Sequence, residues 1–372
     1  MPVKELRHGY TTGTCAAAAA KAAALLLLTG EASAEICLPL PGGGQVILPV
    51  CSAVLEDQSA GCAVRKDSGD DPDVTDGVLV FAEVSRIPTG FTVDGGEGIG
   101  RVTKAGLSCP VGSAAINPVP RQMITRSLEE AAGKADYRGG LAAIISIPGG
   151  EALAHRTYNP RLGIEGGLSI LGTSGIVEPM SERALIDTIH VEMDVLRAAG
   201  VRTLILTPGN YGETFLREKL GFDLGRAVKC SNFVGEALDY AVQLGFAGIL
   251  LVGHMGKLCK LAGGIMNTHS HVADARMELI GVHAALCGAG REVVEKIMDS
   301  LTTDEAVRIL DEAEIKDEAL RSLTGRVEYH LKARVGEDIP TGAILFSNRY
   351  GVLGRTALAD ALCRQIRREE RA

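Results

Sequence analysis

The sequence contains no tryptophan and few other aromatic residues. Aromatic side chains make up 4% of its 372 residues, whereas glycine alone occurs 46 times. This composition favours close backbone packing and open loops over aromatic stacking platforms. The formal net charge of −8 also lacks the basic excess that a phosphate backbone requires, so we expect no nucleic-acid partner.

Disulfide and zinc-binding patterns are absent as well. The nine cysteines include no Cys-x-x-Cys spacing, and an odd number cannot pair completely within one chain. A reducing, cytoplasmic compartment fits this usage best, and we expect most of these thiols to be small core side chains. No protein-bound metal is predicted.

A long uninterrupted apolar segment is also missing. Residues 15–28 form the most apolar run, but Lys21 interrupts it, and the run is shorter than the ~20 residues that span a bilayer. We therefore predict neither a membrane span nor a cleaved signal peptide. Instead the run predicts a first helix, with Thr14 as its N-cap and Gly30 just beyond its end.

The length favours two domains, because a single core rarely serves so long a chain, and the pattern of apolar runs predicts an α/β protein. Residues 1–165 mix strands and helices without regular alternation, which is typical of an α+β domain. Residues 166–372 contain short apolar runs followed by helical stretches, which predicts a Rossmann-like, mostly parallel sheet with a helical tail. We place its strands at residues 168–171, 203–207, 227–230 and 248–252, with a further strand at 342–346.

Two segments of the first domain have residues that suit anion binding. Thr11, Thr12 and Thr14 gather hydroxyls at a helix start, where unpaired amides attract anions, although the alternative is a capped core helix. A glycine-rich loop at residues 94–104 carries Arg101 and Lys104, which suit carboxylates. Its spacing matches neither a dinucleotide fingerprint nor a Walker loop, so a bare turn is the alternative.

The acidic segment at residues 66–76 does not match a calcium loop. Counted from Asp71 or from Asp67, it lacks the Gly at the sixth position that such a loop requires. We interpret the segment as a solvated turn, while a carboxylate directed into a cleft is left open.

The second domain has two loops that directly follow predicted strands, at residues 208–213 and 253–257. Ligands of open parallel sheets bind at the carboxyl ends of strands, so both loops are candidate site segments. Residues 267–271 contain two histidines that would point to different faces of a helix. We therefore interpret them as a helix start capped by Asn267 or Thr268, without a metal. No Gly-x-Ser-x-Gly elbow supports a serine hydrolase.

Five segments together resemble the cobalt-precorrin-5B C(1)-methyltransferase family of anaerobic cobalamin biosynthesis. They lie in order along most of the chain: LRHGYTTGTCAAAAAKAA from Leu6, KDSGDDPDVT from Lys66, DGGEGIGRVTKAGL from Asp94, PGNYG from Pro208, and GHMGKLCKLAGGIMNTHSHVADAR from Gly253. The resemblance implies methyl transfer from S-adenosylmethionine to C-1 of cobalt-precorrin-5B, giving cobalt-precorrin-6A. The cobalt arrives with the corrinoid, so no protein metal site is needed.

The resemblance does not assign the loops, and we divide them by chemistry. S-Adenosylmethionine is assigned to strand-end residues that suit a nucleoside, Gly209, Asn210 and Gly212. The anionic arms of the corrinoid are assigned to hydroxyl, amide and cationic donors, which are Thr11, Thr12, Thr14, Arg101, Lys104, His254, Lys257 and Asn267. Asp94 or His269 is a candidate to accept a proton if the ring loses one.

Two other functions remain as alternatives. The glycine-rich loop in an α+β domain also suits a small-molecule kinase, which would turn over ATP. A non-catalytic tetrapyrrole carrier would bind the corrinoid but have no affinity for S-adenosylmethionine. The sequence is compatible with a homo-oligomer and does not fix the oligomeric state.

Overall fold

The computed structural model describes residues 6–371 and folds as a mixed α/β protein, as the sequence predicted. It divides into two compact units, Met1–Glu182 and Arg183–Ala372. The division falls later than residue 165 because residues 168–170 bond to the first unit, with Leu168 N–H donating to the Gly98 carbonyl at 2.8 Å. The predicted strand at 168–171 of the parallel sheet is therefore wrong.

The N-terminal unit is built on a five-stranded sheet. The strands lie in the order Ser52–Leu55, Ser59–Arg65, Leu79–Ile87, Gly140–Ser146 and Phe91–Gly95. All neighbouring pairs are antiparallel except the last, which is parallel. Short antiparallel pairs complete the unit: Glu35–Pro39 with Gln45–Pro49, Gly9–Tyr10 with Ile176–Val177, and Arg101–Val102 with Ile164–Glu165.

Helix Thr12–Thr29 is the central core helix of this unit. Its alanines are 0–2% exposed, and their small side chains let the sheet and helix Pro118–Lys134 pack closely around it. By length and composition the helix could cross a membrane, but 83% of the relevant window is buried within the protein. Lys21 is buried in it and donates to a Glu130 carboxylate oxygen at 2.7 Å. This is the environment of a core helix.

The start of that helix differs from the prediction. Thr11 is the N-cap, because its Oγ1 accepts the Thr14 N–H at 3.2 Å, so the assignment of Thr14 as the N-cap is wrong. Gly30 ends the helix in the left-handed conformation, as predicted. Two short helices, Gly150–Ala154 and Asn159–Leu162, complete the unit.

The C-terminal unit contains a second five-stranded sheet, which is mostly parallel. Its strands lie in the order Ala227–Lys229, Thr203–Thr207, Gly248–His254, Thr341–Ser347 and Gly351–Arg355. The first four are parallel and the last is antiparallel. Because the central strands are buried on both faces, they read as continuous apolar runs in the sequence.

Helices cover both faces of this sheet. Along one strand, Leu204 and Leu206 pack into one core while Ile205 packs into the other, as side chains alternate across a strand. The helical segments are Glu182–Ala198, Asn210–Phe215 with a π-helical turn Leu216–Leu220, Val234–Gln243, Met255–Leu258, Arg276–Leu286, Arg291–Met298, Thr303–Glu312, Lys316–Val335 and Ala359–Glu369. Short 3₁₀ turns lie at Leu224–Arg226 and Cys259–Gly263.

Candidate functional site

The predicted anion site at the first helix consists of hydroxyls that are already hydrogen-bonded. Thr14 Oγ1 donates to the Gly175 carbonyl at 2.7 Å, and Thr12 Oγ1 accepts the Leu171 N–H at 2.9 Å. Thr11 caps the helix, and all three threonines are buried. These hydroxyls therefore fix the helix start within its own unit. A contact with substrate stays a prediction.

The acidic segment is also held by bonds inside the unit. Lys66, only 2% exposed, donates to an Asp73 carboxylate oxygen at 2.7 Å. Arg7 donates to both carboxylate oxygens of Asp67, at 2.5 and 2.8 Å. The Arg7 guanidinium lowers the pKa of Asp67 to about 2. The segment is thus an ordered, partly buried turn, whereas the sequence predicted a solvated one.

The glycines of residues 94–104 make room for the protein's own backbone. A Cβ added to Gly98 would lie 1.9 Å from the Ile147 carbonyl oxygen, and the φ of Gly98 is +71°. A Cβ on Gly100 would lie 2.4 Å from Ile164 and 2.9 Å from the Gly167 carbonyl oxygen. Close packing of the chain therefore accounts for these glycines. The glycine-rich loop was the observation that suggested a kinase, and it is explained without a bound nucleotide.

Asp94 and Arg101 bind each other at the surface. Arg101 donates to both carboxylate oxygens, at 2.8 and 3.2 Å, and also to the Gly95 carbonyl at 2.8 Å. The hydrogen bond from Arg101 lowers the pKa of Asp94, which makes the carboxylate a weak proton acceptor at neutral pH. Lys104 is exposed, and its ammonium lies 3.5 Å from the Arg161 carbonyl.

In the C-terminal unit, the two predicted loops leave the sheet side by side. Thr203–Thr207 and Gly248–His254 are adjacent parallel strands, so the segments after them begin at one sheet edge. The helix after the first strand contributes Phe215 to the core on one face, and the helix after the second contributes Leu258 to the core on the other. In open α/β sheets a reversal of this kind leaves a crevice at the strand ends, where ligands bind, and we refer to this edge as the crevice.

Residues 208–212, here called the turn at 208–212, lead from the strand Thr203–Thr207 into helix Asn210–Phe215 at this edge. Gly209 adopts φ 131° and ψ 178°, a conformation that essentially requires glycine. A Cβ on Gly212 would lie 1.7 Å from Thr207 Oγ1, so this glycine lets the helix approach the strand. Asn210 is exposed; its Oδ1 accepts from the Lys229 ammonium. Its amide NH₂ has no partner among residues 6–371 and is free to donate.

Lys257 is a half-buried cation without a carboxylate partner in the part of the chain that the structure describes. Its Nζ makes one long hydrogen bond there, 3.4 Å to the Ser231 carbonyl. A Cβ added to Gly209 would lie 3.7 Å from Nζ, so the ammonium sits beside the turn. Burial lowers the pKa of Lys257, and the charges of Lys229 and Lys260 lower it further. An anion at this position would relieve that cost.

His254 begins the neighbouring helical turn. Its Nδ1 accepts the Gly256 N–H at 3.1 Å and caps helix Met255–Leu258. The ring meets Phe346 edge-on, with centroids 5.6 Å apart, and lies 5.8 Å from the exposed ring of Tyr211. Burial lowers the pKa of His254 in spite of the opposing charge of Asp304.

The segment at residues 267–275 is an ordered loop, so the predicted helix start at Asn267 or Thr268 is wrong. The next helix, Arg276–Leu286, begins later, and Ala275 precedes it in the left-handed region. Lys260 holds the loop: its buried ammonium donates to the Thr268 carbonyl at 3.1 Å and to the Ala273 carbonyl at 2.8 Å. Because these bonds satisfy the loop without helical geometry, a capping pattern alone could not locate the helix.

The predicted residues of this loop make local contacts. Asn267 Oδ1 accepts the His269 N–H at 3.1 Å. His269 is exposed, and its Nδ1 accepts the His271 N–H at 3.0 Å. Within residues 6–371 no group of histidine, cysteine or carboxylate side chains could hold a metal ion.

Sequence reasoning missed three polar residues at this edge. Lys229 ends the strand Ala227–Lys229 and contacts Asn210, and Ser231 lies just beyond it and contacts Lys257. The rule that ligand loops follow parallel strands would have found both. Thr207 ends a central strand with its Oγ1 buried and without a partner among the described residues. No sequence signal marks that hydroxyl.

The fold and this edge define an α/β protein with a polar crevice, and comparison with known proteins identifies its family. The CbiD family model matches residues 2–179, and the model of the CbiD C-terminal domain matches residues 267–357. The chain therefore belongs to the CbiD family, which confirms the resemblance inferred from the five segments.

Two relatives with curated names are similar over nearly the whole chain. A protein from Ruminiclostridium cellulolyticum is 48% identical over 93% of this chain and 90% of its own length. One from Salmonella typhimurium is 45% identical over 98% of this chain and 96% of its own length. Both are named cobalt-precorrin-5B C(1)-methyltransferase. A 1.9 Å crystal structure of a cobalamin biosynthesis protein from Archaeoglobus fulgidus is 29% identical; the match covers 73% of this chain and 84% of that chain, with a TM-score of 0.40.

Proposed function

We propose that this chain transfers a methyl group from S-adenosylmethionine to C-1 of cobalt-precorrin-5B, giving cobalt-precorrin-6A. The observation that carries the proposal is its similarity, over more than nine-tenths of the chain, to relatives named for this reaction. A cytoplasmic location fits a biosynthetic enzyme of this kind, and the cobalt enters with the substrate. A homo-oligomer stays a prediction.

The active site is proposed to be the crevice at the carboxyl edge of the C-terminal sheet. We interpret this sheet as Rossmann-like, because its first strand along the chain lies between the second and the third, as in doubly wound folds. In such folds the crevice forms where connections from adjacent strands run to opposite faces. The strands that end at Thr207 and His254 meet this condition.

The turn at residues 208–212 is proposed to hold S-adenosylmethionine. Gly209 has no side chain to obstruct a ligand, and the free amide NH₂ of Asn210 can donate to an acceptor atom. Gly212 acts indirectly, because its small size sets the distance between helix and strand. When bound, the donor supplies a methyl group on a sulfonium, so the C–S bond breaks as the new C–C bond forms and the sulfur keeps its electron pair.

Lys257 is proposed to bind an anionic arm of the corrinoid. The acetate and propionate arms of such a ring require cations or hydrogen-bond donors, and Lys257 offers a half-buried ammonium without a carboxylate partner among the described residues. His254 and Asn267 are proposed to assist it. Positioning of this kind can supply much of the rate of a displacement at carbon, because it aligns the reacting atoms in advance.

If the ring loses a proton, a side chain near it must accept that proton. His269 is exposed and therefore accessible as an acceptor, whereas Arg101 keeps the pKa of Asp94 low. Of the two predicted acceptors, His269 is the better supported. Arg101 and Lys104 also stay predictions as contacts for corrinoid arms, with Arg101 already occupied by Asp94.

The reaction itself provides the test. Incubated anaerobically with cobalt-precorrin-5B and S-adenosylmethionine, the protein should add one methyl group to the ring and release S-adenosylhomocysteine. Mass spectrometry of the tetrapyrrole reads the outcome, and a sample with S-adenosylhomocysteine in place of the donor is the control. Corrinoid binding without methylation would instead support a carrier. ATP hydrolysis that depends on the tetrapyrrole would support a kinase.

A second experiment tests the location of the donor. Replacing Asn210 by Ala should weaken binding of S-adenosylhomocysteine by about fivefold, because a lost hydrogen bond to a ligand costs on the order of 1 kcal/mol. Asn348→Ala, in the turn after Thr341–Ser347, is the matched control for an asparagine that also follows a strand of this sheet. Equal calorimetric affinities of the two variants would contradict the assignment.

A further inference from the structure

The imidazole of His254 is held in one tautomer by the backbone. Its Nδ1 accepts the Gly256 N–H at 3.1 Å, so in the neutral ring the hydrogen must be on Nε2. Nε2 has no hydrogen-bond partner among residues 6–371. A half-buried ring therefore presents an unused N–H donor at the crevice.

Neighbouring side chains limit how this ring can move. Phe346 meets it edge-on, and Phe346 itself stacks on Phe215 with ring centroids 4.0 Å apart. Tyr211 lies on the other loop of the crevice, with its ring 5.8 Å from that of His254. The backbone bond at Nδ1 and these rings together fix the direction of the Nε2–H bond.

Lys257 lies on the same helical turn as His254. His254 is the N-cap of helix Met255–Leu258, and Lys257 is three residues further on, a spacing that puts side chains on one face. Lys257 Nζ borders Gly209, while the His254 ring lies 5.8 Å from the Tyr211 ring, so both side chains lie beside the turn at residues 208–212. One donor is cationic and the other is neutral.

We propose that His254 is a specificity residue that donates its Nε2 hydrogen, as a neutral imidazole, to a carboxylate oxygen of the ligand beside Lys257. The proposal rests on the methyltransferase function proposed above and goes further, because it assigns His254 as a donor and excludes it as the base. Burial lowers the pKa of His254, which favours the neutral ring, and it outweighs the charge of Asp304, whose helix begins next to Gly256. Two sources can supply the carboxylate: an arm of the tetrapyrrole or the methionine part of the methyl donor.

Two substitutions separate the two nitrogens. Asn in His254→Asn can still accept the Gly256 N–H as an N-cap, but it has no donor at the position of Nε2. Gln in His254→Gln can place an amide N–H near the Nε2 position. His330→Asn is the matched control, because burial also lowers the pKa of His330 on helix Lys316–Val335, while its ring borders Gly264 and not Tyr211.

Binding is measured by calorimetry with three probes: S-adenosylhomocysteine, 5′-methylthioadenosine, which lacks the carboxylate, and cobalt uroporphyrin, which carries acetate and propionate arms. His254→Asn should weaken the binding of one of the two carboxylate-bearing probes by about tenfold or more. The probe whose affinity falls identifies the source of the carboxylate. His254→Gln should retain more of that affinity than His254→Asn, and 5′-methylthioadenosine should bind all variants alike. If neither carboxylate probe is weakened by His254→Asn, the proposal is wrong.

Nuclear magnetic resonance tests the tautomer of His254 in the unmodified protein, so the result does not depend on whether a variant folds correctly. Nitrogen-15 shifts of the His254 ring should show a neutral imidazole with the hydrogen on Nε2 at pH ~7. A hydrogen on Nδ1 would overturn the proposal. These measurements are independent of turnover. Normal methylation combined with a hydrogen on Nδ1 would refute only this inference, whereas absent methylation combined with a selective His254→Asn defect would refute only the proposed function.

Discussion

Four cations of the N-terminal unit differ from Lys257 of the C-terminal unit in the groups that they contact. In the N-terminal unit, four cations each reach a carboxylate within 2.8 Å: Arg7, Lys21, Lys66 and Arg101. In the crevice of the C-terminal unit, Lys257 is half-buried and reaches only a carbonyl at 3.4 Å. Paired charges hold segments of the chain together, whereas an unpaired buried charge costs stability unless a ligand neutralises it. The comparison therefore separates residues that hold the fold from one that is available to bind.

The first prediction concerns the glycine-rich loop of the N-terminal unit. Gly98→Ala should destabilise the protein by roughly 3–5 kcal/mol, because a left-handed residue gains a Cβ that would meet the Ile147 carbonyl oxygen. Gly133→Ala, in helix Pro118–Lys134 with open space around it, is the control and should stabilise slightly. Urea unfolding measures both. If Gly98→Ala has the same free energy of unfolding as the unmodified protein, close packing does not require this glycine, and a role of the loop in ligand binding would be supported instead.

The second prediction concerns the ion pair between Lys66 and Asp73 in the same unit. Lys66→Met should lower the free energy of unfolding by about 3 kcal/mol, because the partly buried Asp73 carboxylate loses its cation. Arg126→Met is the matched control. It removes an exposed i,i+4 partner of Glu130 and should cost no more than about 0.5 kcal/mol. Equal losses in the two variants would mean that burial of the pair does not matter.

The third prediction concerns the lysine that resembles Lys66 most closely in the C-terminal unit. Lys260→Met leaves the Thr268 and Ala273 carbonyls without their donor, at a cost of about 1–2 kcal/mol. Hydrogen exchange should become faster at residues 267–275 and stay unchanged in strand Gly248–His254. Uniform acceleration across the unit would show that Lys260 supports the whole core and not the loop specifically.

The smallest effect is expected from an exposed pair. The pKa of Asp67 is about 2 in the folded protein, below the ~3.9 of an unfolded chain. A depressed carboxyl pKa stabilises above the unfolded value, and this contribution is lost as the pH falls through about 4 towards 2. Asp67→Asn should therefore show a shallower fall in melting temperature over that range. Parallel curves for the variant and the unmodified protein would exclude a contribution from the Arg7 pair.

Much of the fold could be predicted because its signals are local. Strand Thr203–Thr207 was predicted to the residue, since a short buried run between turn residues has few alternatives. Residues 168–171 have the same apolar character, but their backbone bonds run to Gly98 and to Ala115 in the N-terminal unit. An apolar run reveals that a segment is buried and does not reveal its partner, so residues 168–171 were wrongly assigned to the parallel sheet.

The site was predictable in outline and not in detail. Strand-end loops indicated the turn at 208–212 and the region of Lys257, because the rule depends only on chain order. The same sequence reasoning treated Arg101 and Lys257 alike, as cations near glycines. Only tertiary structure reveals that Asp94 binds Arg101 and that no carboxylate among residues 6–371 binds Lys257. The threonines at the first helix likewise suggested an anion site until their partners were visible.

The most direct test of the account is the rate of methyl transfer when the unpaired charge is removed. Lys257→Met keeps the apolar stem and deletes the ammonium, while Lys296→Met deletes an exposed ammonium paired with Glu292 in the same unit. With cobalt-precorrin-5B as the varied substrate, Lys257→Met should lower kcat/KM by about tenfold or more, since losing a charge-assisted hydrogen bond costs roughly 1.5–3 kcal/mol. Its thermal stability should be unchanged or slightly higher, because an incompletely paired buried charge is lost. A kcat/KM for Lys257→Met equal to that of Lys296→Met would contradict the claim that this crevice is the active site.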